Sequence, residues 1–219
     1  MKFLRAVPLM VAAGLIMAGC QLNFLKNPCE KIYHQLEKSA SEEKEFNQVQ
    51  KPLVDAEGKE QTLYNQLVNV DKNNDKKTSQ LSQQAIQSVE KRSRLIKKEK
   101  DSIDKAYQTF KKILPQISKI KDDEAKQEAE RMANTMSTRY KNYQKLYNDY
   151  QSALTDDRKL YELFNDQKLK ADTLQKQLEK VNSHYQTIDK DKDAFNKATK
   201  TFNQQKKIFY NVADIDKEE

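Results

Sequence analysis

Apolar residues recur at alternating steps of three and four along most of the chain after residue 28. This spacing is typical of amphipathic α-helices, whose successive turns bring such positions onto one face. The pattern predicts four helical segments, whose periodic apolar positions run over about 29–70, 81–114, 129–164 and 174–209. Regular alternation of apolar and polar residues, which would indicate β-strands, does not appear.

Residues that favour turns and helix ends separate these segments. Two stretches are predicted to be turns, Asp71–Asp75 and Asn165–Asp166. Thr78 or Ser79 is predicted to cap the second helix, and Asp122–Asp123 suits the start of the third.

Two prolines fall inside the periodic segments. Pro52 is expected to kink or divide the first segment, and Pro115 to end or bend the second. Proline lacks the N–H that would otherwise bond one turn back, so each should interrupt the regular helix.

Helices of about 40 residues would each reach about 60 Å. Connections short enough for hairpins make neighbouring helices antiparallel. The sequence therefore predicts an all-α fold, an elongated four-helix up-and-down antiparallel bundle with long, partly kinked helices. The competing arrangement is an extended coiled-coil dimer, but the two turn signals favour the intramolecular bundle.

The N-terminus has the parts of an export signal. A basic start with Lys2 and Arg5 is followed by an apolar run that ends in Ala18-Gly19-Cys20. The run is about 14 residues long and would span only about 21 Å, less than the bilayer core of about 30 Å. Met17 is too bulky for an ordinary secretory cleavage site after Gly19.

The ending 15–20 instead resembles a lipobox, which implies cleavage before Cys20 and attachment of a diacylglyceryl group to its thiol. Two acyl chains give a stable membrane anchor. We expect a signal peptide at 1–19, a lipidated cysteine and tether at 20–28, a helical bundle domain at 29–213 and a charged tail at 214–219.

Charge limits the partners that such a chain can have. Charged residues form 33% of the 219 residues, and the formal net charge of +7 falls to +5 once Lys2 and Arg5 are removed. An exported chain with a positive excess would attract anionic wall polymers and anionic lipid head groups. Export makes nucleic acid an unsuitable partner.

The mature sequence resembles the YkyA-like cell-wall-binding lipoproteins of Gram-positive bacteria. The stretches that carry the resemblance, in chain order, are 60–66 (EQTLYNQ), 97–100 (KKEK), 139–141 (RYK) and 179–182 (EKVN). The resemblance extends from the lipobox to about Val212. It implies a four-helix up-and-down bundle and wall binding, and it implies no catalytic residues.

Candidate metal sites fit poorly. Asp71-x-Asn73-x-Asp75 and Asp189-x-Asp191-x-Asp193 begin like calcium loops, but both lack the glycine and glutamate required later. His34 and His184 have no metal-ligand spacing and are expected at surface or boundary positions, although they could lie close together in space. We predict no metal and no cofactor.

The remaining candidate residues favour packing over chemistry. Cys29 could form an intermolecular disulfide, but a half-buried thiol near the first helix start is expected. The stripe of Tyr140, Tyr143, Tyr147 and Tyr150 could stack on sugars, but its helical spacing favours the core. Catalytic motifs with a nucleophile elbow or a phosphate-binding glycine loop are absent from the sequence.

Together these features predict a non-catalytic lipoprotein on the outer face of the cell membrane, facing the wall. It would bind wall polymers, either peptidoglycan or teichoic acid, or bridge membrane and wall. The alternative is a helical scaffold or accessory subunit of an envelope membrane-protein complex. An enzyme or solute-binding protein would instead need a deep pocket.

Overall fold

A computed structural model describes residues 27–71, 74–166 and 168–215, and within these ranges the chain is helical without β-strands. Four long helices are present, as the sequence predicts. The helices are α1 (Pro28–Glu42), α2 (Lys44–Val68), α3 (Asp75–Phe110), α4 (Leu114–Ile117), α5 (Asp123–Leu163) and α6 (Ala171–Val212).

Short polar side chains cap the helix starts. The Cys29 N–H donates to Asn27 Oδ1 at 2.9 Å, and the Ala125 N–H donates to Asp122 Oδ1 at 2.7 Å. The predicted start at Asp122–Asp123 is therefore confirmed. The cap predicted at Thr78 or Ser79 is wrong, because Asn74 accepts from the Lys77 N–H at 3.1 Å and α3 begins earlier.

The first predicted segment is divided at Glu43 and not at Pro52. Glu43 separates α1 from α2 with φ −83° and ψ 6°, and its N–H donates to Ala40 O at 3.1 Å. Pro52 lies inside α2 between the buried Val49 and Leu53. Packing of this apolar face holds the helix together although proline removes one backbone hydrogen bond.

Pro115 stands beyond the end of α3. After α3 ends at Phe110, the chain forms a 3₁₀ turn at Lys111–Ile113 and then α4, which has Pro115 in its first turn. Proline fits there because the N–H groups of a first turn have no partner within the helix. The predicted interruption is confirmed, although the helix ends five residues before the proline.

The chain folds into two compact units. The first unit comprises 48–99 and 145–192, and the second comprises 27–47, 100–144 and 193–215 among the described residues. In the first unit, α2, α3, α5 and α6 each supply buried apolar side chains, for example Leu63, Val89, Leu154 and Ile188.

The core of the second unit begins at the start of α1. Cys29, Ile32 and Leu36 pack in one cluster with residues from the ends of α3 and α6 and from the start of α5. A second group of rings, Phe46, Tyr143 and Phe195, has centroids 5.4–6.2 Å apart. Such separations are favourable for aromatic pairs.

The predicted ranges of signal, tether, helical domain and tail remain predictions.

Candidate functional site

Cys20, the predicted lipidation site, lies outside the described residues. The candidate sites within them are a buried network in the first unit, a related pair in the second unit, and a cleft on the first unit.

A single arginine connects all four helices of the first unit. Arg92 on α3 donates through Nη1 to Glu60 Oε1 on α2 and to Asp157 Oδ2 on α5, both at 2.9 Å. Its Nε donates to the Tyr150 hydroxyl at 3.0 Å, and its Nη2 to the Tyr185 hydroxyl on α6 at 2.7 Å. The arginine is almost fully buried, so these bonds replace its lost hydration.

Two buried carboxylates share this one guanidinium. Burial, reinforced by the neighbouring Asp157, raises the pKa of Glu60 to about 7, although Arg92 opposes the shift. Burial also raises the pKa of Asp157. Within the described residues, no donor reaches Glu60 Oε2 or Asp157 Oδ1. The two carboxyl groups therefore titrate as a coupled pair, and burial favours the retention of a proton by the pair.

The second unit contains a comparable arginine. Arg139 on α5 forms a bidentate ion pair with Glu43, and both N···O distances are 2.7 Å. Its Nε donates to Thr199 Oγ1 at 2.9 Å, and its guanidinium carbon lies 4.9 Å from the Phe195 ring centroid. Glu43 is the residue that separates α1 from α2, so the helix break places its carboxylate against this arginine.

A cleft between α2 and α3 lies on the surface of the first unit and has a volume of about 220 Å³. Three cations line it: Lys59 from α2, and Lys91 and Arg94 from α3. All three are exposed, and no carboxylate of the described residues forms an ion pair with them. The one lining acid, Asp55, already pairs with Lys51 at 2.8 Å.

The other carboxylates on these stretches of α2 and α3 are engaged elsewhere. Each accepts a hydrogen bond from a residue that is not part of the cleft lining. The pairs are Glu57 with Tyr150, Glu60 with Arg92, Glu90 with Arg158, and Glu99 with Gln50. The charges are thus segregated, with carboxylates directed to the interior or to α5 and cations left in the cleft.

The acidic triplets singled out in the sequence do not come together as ligand sets. Asp71 and Asp75 are exposed beside the α3 start, while Asn73 lies outside the described residues. Asp189 pairs with Lys192 at 3.0 Å, and Asp191 accepts from Lys145 at 2.6 Å. In the described part of the chain, no three histidine, cysteine, aspartate or glutamate side chains are grouped so as to hold a metal ion.

The histidines occupy surface and boundary positions, as predicted. His34 is exposed on α1, and its ring meets the Tyr33 ring edge-on with centroids 5.4 Å apart. His184 is half-buried on α6, and its Nε2 lies 2.9 Å from Asp156 Oδ2, while Lys180 Nζ lies 2.8 Å from Oδ1 of the same carboxylate.

The tyrosine stripe is mainly core, as its spacing predicts. Tyr143 and Tyr150 are buried, whereas Tyr140 and Tyr147 are half-buried. Tyr140 stacks on Tyr107 with centroids 3.9 Å apart and donates to Asp104 Oδ1 at 3.0 Å. Burial and this acidic partner raise the pKa of Tyr140 to about 12. These rings are thus engaged within the protein and do not form an open stacking surface.

Cys29 lies at the start of α1, where the sequence predicts a half-buried thiol, and it is more buried than that. Its thiol is free. Burial, followed by the nearby Asp122 and Glu30 carboxylates, raises its pKa. A protonated, enclosed thiol reacts slowly, so the placement favours packing over disulfide exchange.

Sequence reasoning assigned no functional role to Arg92, Glu60, Asp157 or Arg139, although Glu60 and Arg139 lie in stretches that carry the family resemblance. A signal was present, because each occupies a core-facing position in the three-and-four spacing; Arg92, for example, lies between Val89 and Ile96. The cleft cations had no comparable signal, since many other lysines and arginines are exposed along the long helices. Of the helices in the described ranges, none is both long and apolar enough to cross a membrane.

Comparison with known proteins places this all-helical chain among the lipoproteins. A family model described as a putative cell-wall binding lipoprotein, YkyA, matches residues 27–212. The chain belongs to the YkyA family. This agrees with the resemblance noted in the sequence, and the family description is that of a lipoprotein and not of an enzyme.

A relative from Bacillus subtilis strain 168, the uncharacterized lipoprotein YkyA, is 34% identical over 202 residues. The match covers 92% of this chain and 89% of the relative. A solved structure, of a conserved protein of unknown function from Staphylococcus aureus, has a TM-score of 0.72 at 17% identity. It covers 87% of this chain and 98% of the other, and it supports the fold alone.

Proposed function

We propose that this protein is a non-catalytic lipoprotein, anchored by lipid on Cys20 to the outer face of the cell membrane, that contacts anionic polymer of the cell wall. The observation that carries the proposal is the α2–α3 cleft, in which Lys59, Lys91 and Arg94 have no carboxylate partner among the described residues. The description of the family as cell-wall binding and the mature charge of +5 support the same assignment.

The helices are proposed to form an up-and-down antiparallel bundle. In the first unit, the order of contacts supports this arrangement. Gln50 bonds Glu99 and Ser88 bonds Ala56, so positions on α2 and α3 run in opposite directions. Between α5 and α6 the same order holds for Asp156 with Gln177 and Lys145 with Asp191.

Anchoring is tested by replacing Cys20 with alanine and fractionating the cells. The wild-type chain should sediment with membranes and incorporate labelled palmitate, whereas the Cys20→Ala chain should do neither. Cys29→Ala is the matched control, because it removes the other cysteine without touching the lipobox. Unchanged membrane retention of the Cys20→Ala chain would exclude the anchor.

Wall contact is tested by sedimenting the full-length protein, purified in mild detergent, with isolated wall sacculi. Retention at low salt that is lost in moderate salt is expected, because exposed charges are screened within about 10 Å at 0.1 M salt. Absence of retention at low salt would exclude wall binding. Crosslinking in intact cells separates this function from a scaffold, which would give a dominant protein adduct.

A further inference from the structure

We infer that the α2–α3 cleft binds the phosphodiester groups of a teichoic-type wall polymer. This inference rests on the proposed function and goes beyond it by naming phosphate, not the glycan of peptidoglycan, as the chemistry that is recognised. The cleft lining and the segregation of charge around it carry the inference.

The first argument is electrostatic. Lys91 and Arg94 are three residues apart on one helical face, and Lys59 lines the opposite side of the same cleft. Like charges at this helical spacing repel each other by a few tenths of a kcal/mol. The acids that could neutralise them are bonded elsewhere, so an anion that enters the cleft relieves this repulsion and displaces no strong ion pair.

Asp55 is the one acid that competes for these cations. It is exposed and pairs with Lys51 one turn away, and exposed pairs of this type contribute little stability. Asp55 carries a single negative charge and can offset at most one of the three cleft cations. The cleft retains a positive excess with Asp55 included.

The second argument concerns the type of donor. The planar guanidinium of Arg94 can bind two phosphate oxygens together, while the lysines supply compact point charges. Gln84 and Gln87 line the cleft and add amide donors suited to phosphate or hydroxyl oxygens. The cleft volume of about 220 Å³ leaves room for one small phosphodiester unit.

The third argument excludes glycan as the preferred ligand. An aromatic side chain offers a large apolar face against which a sugar ring can pack. No aromatic residue is among the described side chains that line this cleft. Of the tyrosines of the first unit, Tyr64, Tyr150, Tyr161 and Tyr185 are buried, and Tyr147 is half-buried on α5, away from the cleft lining.

The test uses full-length protein purified from membranes in mild detergent. Three probes are compared: soluble poly(glycerol phosphate), vesicles that contain phosphatidylglycerol, and wall sacculi with or without teichoic acid. The cleft variant is Lys59→Gln, Lys91→Gln and Arg94→Gln combined. Its matched control combines Lys159→Gln, Lys176→Gln and Lys190→Gln, which removes three exposed cations from the α5 and α6 surfaces of the same unit.

We expect the cleft variant to bind poly(glycerol phosphate) at least about tenfold more weakly than wild type, and the control to bind it within about twofold. Because three phosphate contacts are removed, the slope of log affinity against log salt should fall by about 2 for the cleft variant alone. A charge-conserving variant, Lys59→Arg, Lys91→Arg and Arg94→Lys, should retain binding. Circular dichroism should show equal helicity for all four proteins.

Each contrary result overturns a different statement. Equal loss in the cleft and control variants would assign binding to net charge and refute the cleft as a site. Sacculus binding that does not depend on teichoic acid or on the cleft would refute phosphate recognition while leaving wall contact intact. If the cleft variant lost binding to the vesicles but kept binding to poly(glycerol phosphate), the ligand would be a lipid head group, and the polymer would be refuted as the ligand. No retention of wild type on sacculi would refute the proposed function itself.

Discussion

Arg92 and Glu60 form a 2.9 Å salt bridge in which neither side chain is more than 2% exposed. A buried ion pair contributes little more to stability than well-packed apolar side chains of the same volume would. Removing only one partner, however, leaves the other charge buried without compensation. The same guanidinium also faces Asp157, so it compensates two carboxylates at once.

Replacing Arg92 by methionine should therefore lower the free energy of unfolding by about 3–5 kcal/mol, measured by urea denaturation. Arg94→Met is the matched control, because it changes an exposed arginine two residues away and should have an effect within about 0.5 kcal/mol. Adding Glu60→Gln to Arg92→Met should restore part of the loss, because it removes one of the uncompensated carboxylates. A loss below 1 kcal/mol for Arg92→Met would contradict the role assigned to the network.

Stability should depend on pH through the Glu60–Asp157 pair. Because the pKa of Glu60 is raised to about 7 from its ordinary 4.5, its contribution is complete below about pH 4.5 and is lost as pH rises through 7. The stability of the wild-type protein should therefore fall between about pH 4.5 and pH 8.

Glu60→Gln should flatten this dependence, since the amide cannot ionise. Thermal unfolding between pH 4.5 and 8.5 should show a falling midpoint for wild type and a shallower decline for the variant. The control is Glu90→Gln, which removes an exposed carboxylate that pairs with Arg158. Its unfolding midpoint should depend on pH as steeply as that of the wild type. Parallel profiles for wild type and Glu60→Gln would show that this carboxyl does not titrate in the range.

Gly58 lies inside α2 on the exposed side, and a Cβ added there would meet nothing within 4 Å. Alanine loses less backbone entropy than glycine on forming a helix. Gly58→Ala should therefore raise the free energy of unfolding by about 0.5–1 kcal/mol, measured by urea denaturation. Gly58→Pro, which removes the N–H from the helix, should instead lower the free energy of unfolding. Destabilisation by Gly58→Ala would contradict the open space found around this position.

Cys29 should resist thiol reagents in the folded protein. In a Cys20→Ala chain it is the single remaining cysteine, so colour release from a disulfide reagent reports on it alone. Because its thiol is buried and its pKa is raised, reaction should be at least about a hundredfold slower in buffer than in denaturant. Rapid reaction, or a disulfide-linked dimer without reductant, would contradict the packed position.

The sequence was sufficient to predict the helices but not the polar contacts between them. The spacing from Leu174 to Phe209 matches α6 closely, because burial of an apolar face imposes that period. Pro52 was misleading, since tertiary packing outweighs the loss of one hydrogen bond. At the break, Glu43 pairs with Arg139, a residue 96 positions away, and no local pattern could reveal that contact.

The candidate site illustrates the same limit. Lys59, Lys91 and Arg94 belong to two helices, and each resembles the many other exposed cations of the chain. What distinguishes them is that Glu57, Glu60 and Glu90 are engaged elsewhere. That fact requires knowledge of which helices are neighbours, so the cleft could only be found in three dimensions.

The position of Arg92 also has a mechanical consequence. The guanidinium of Arg92 on α3 donates hydrogen bonds to side chains of α2, α5 and α6. No helix of the first unit can therefore slide lengthwise past its neighbours and keep those bonds. A displacement of one turn, about 5.4 Å, exceeds the reach of any hydrogen bond. In the function proposed above, movements of the envelope would pull on a protein held at both membrane and polymer, and these bonds would let the first unit resist shear without unfolding.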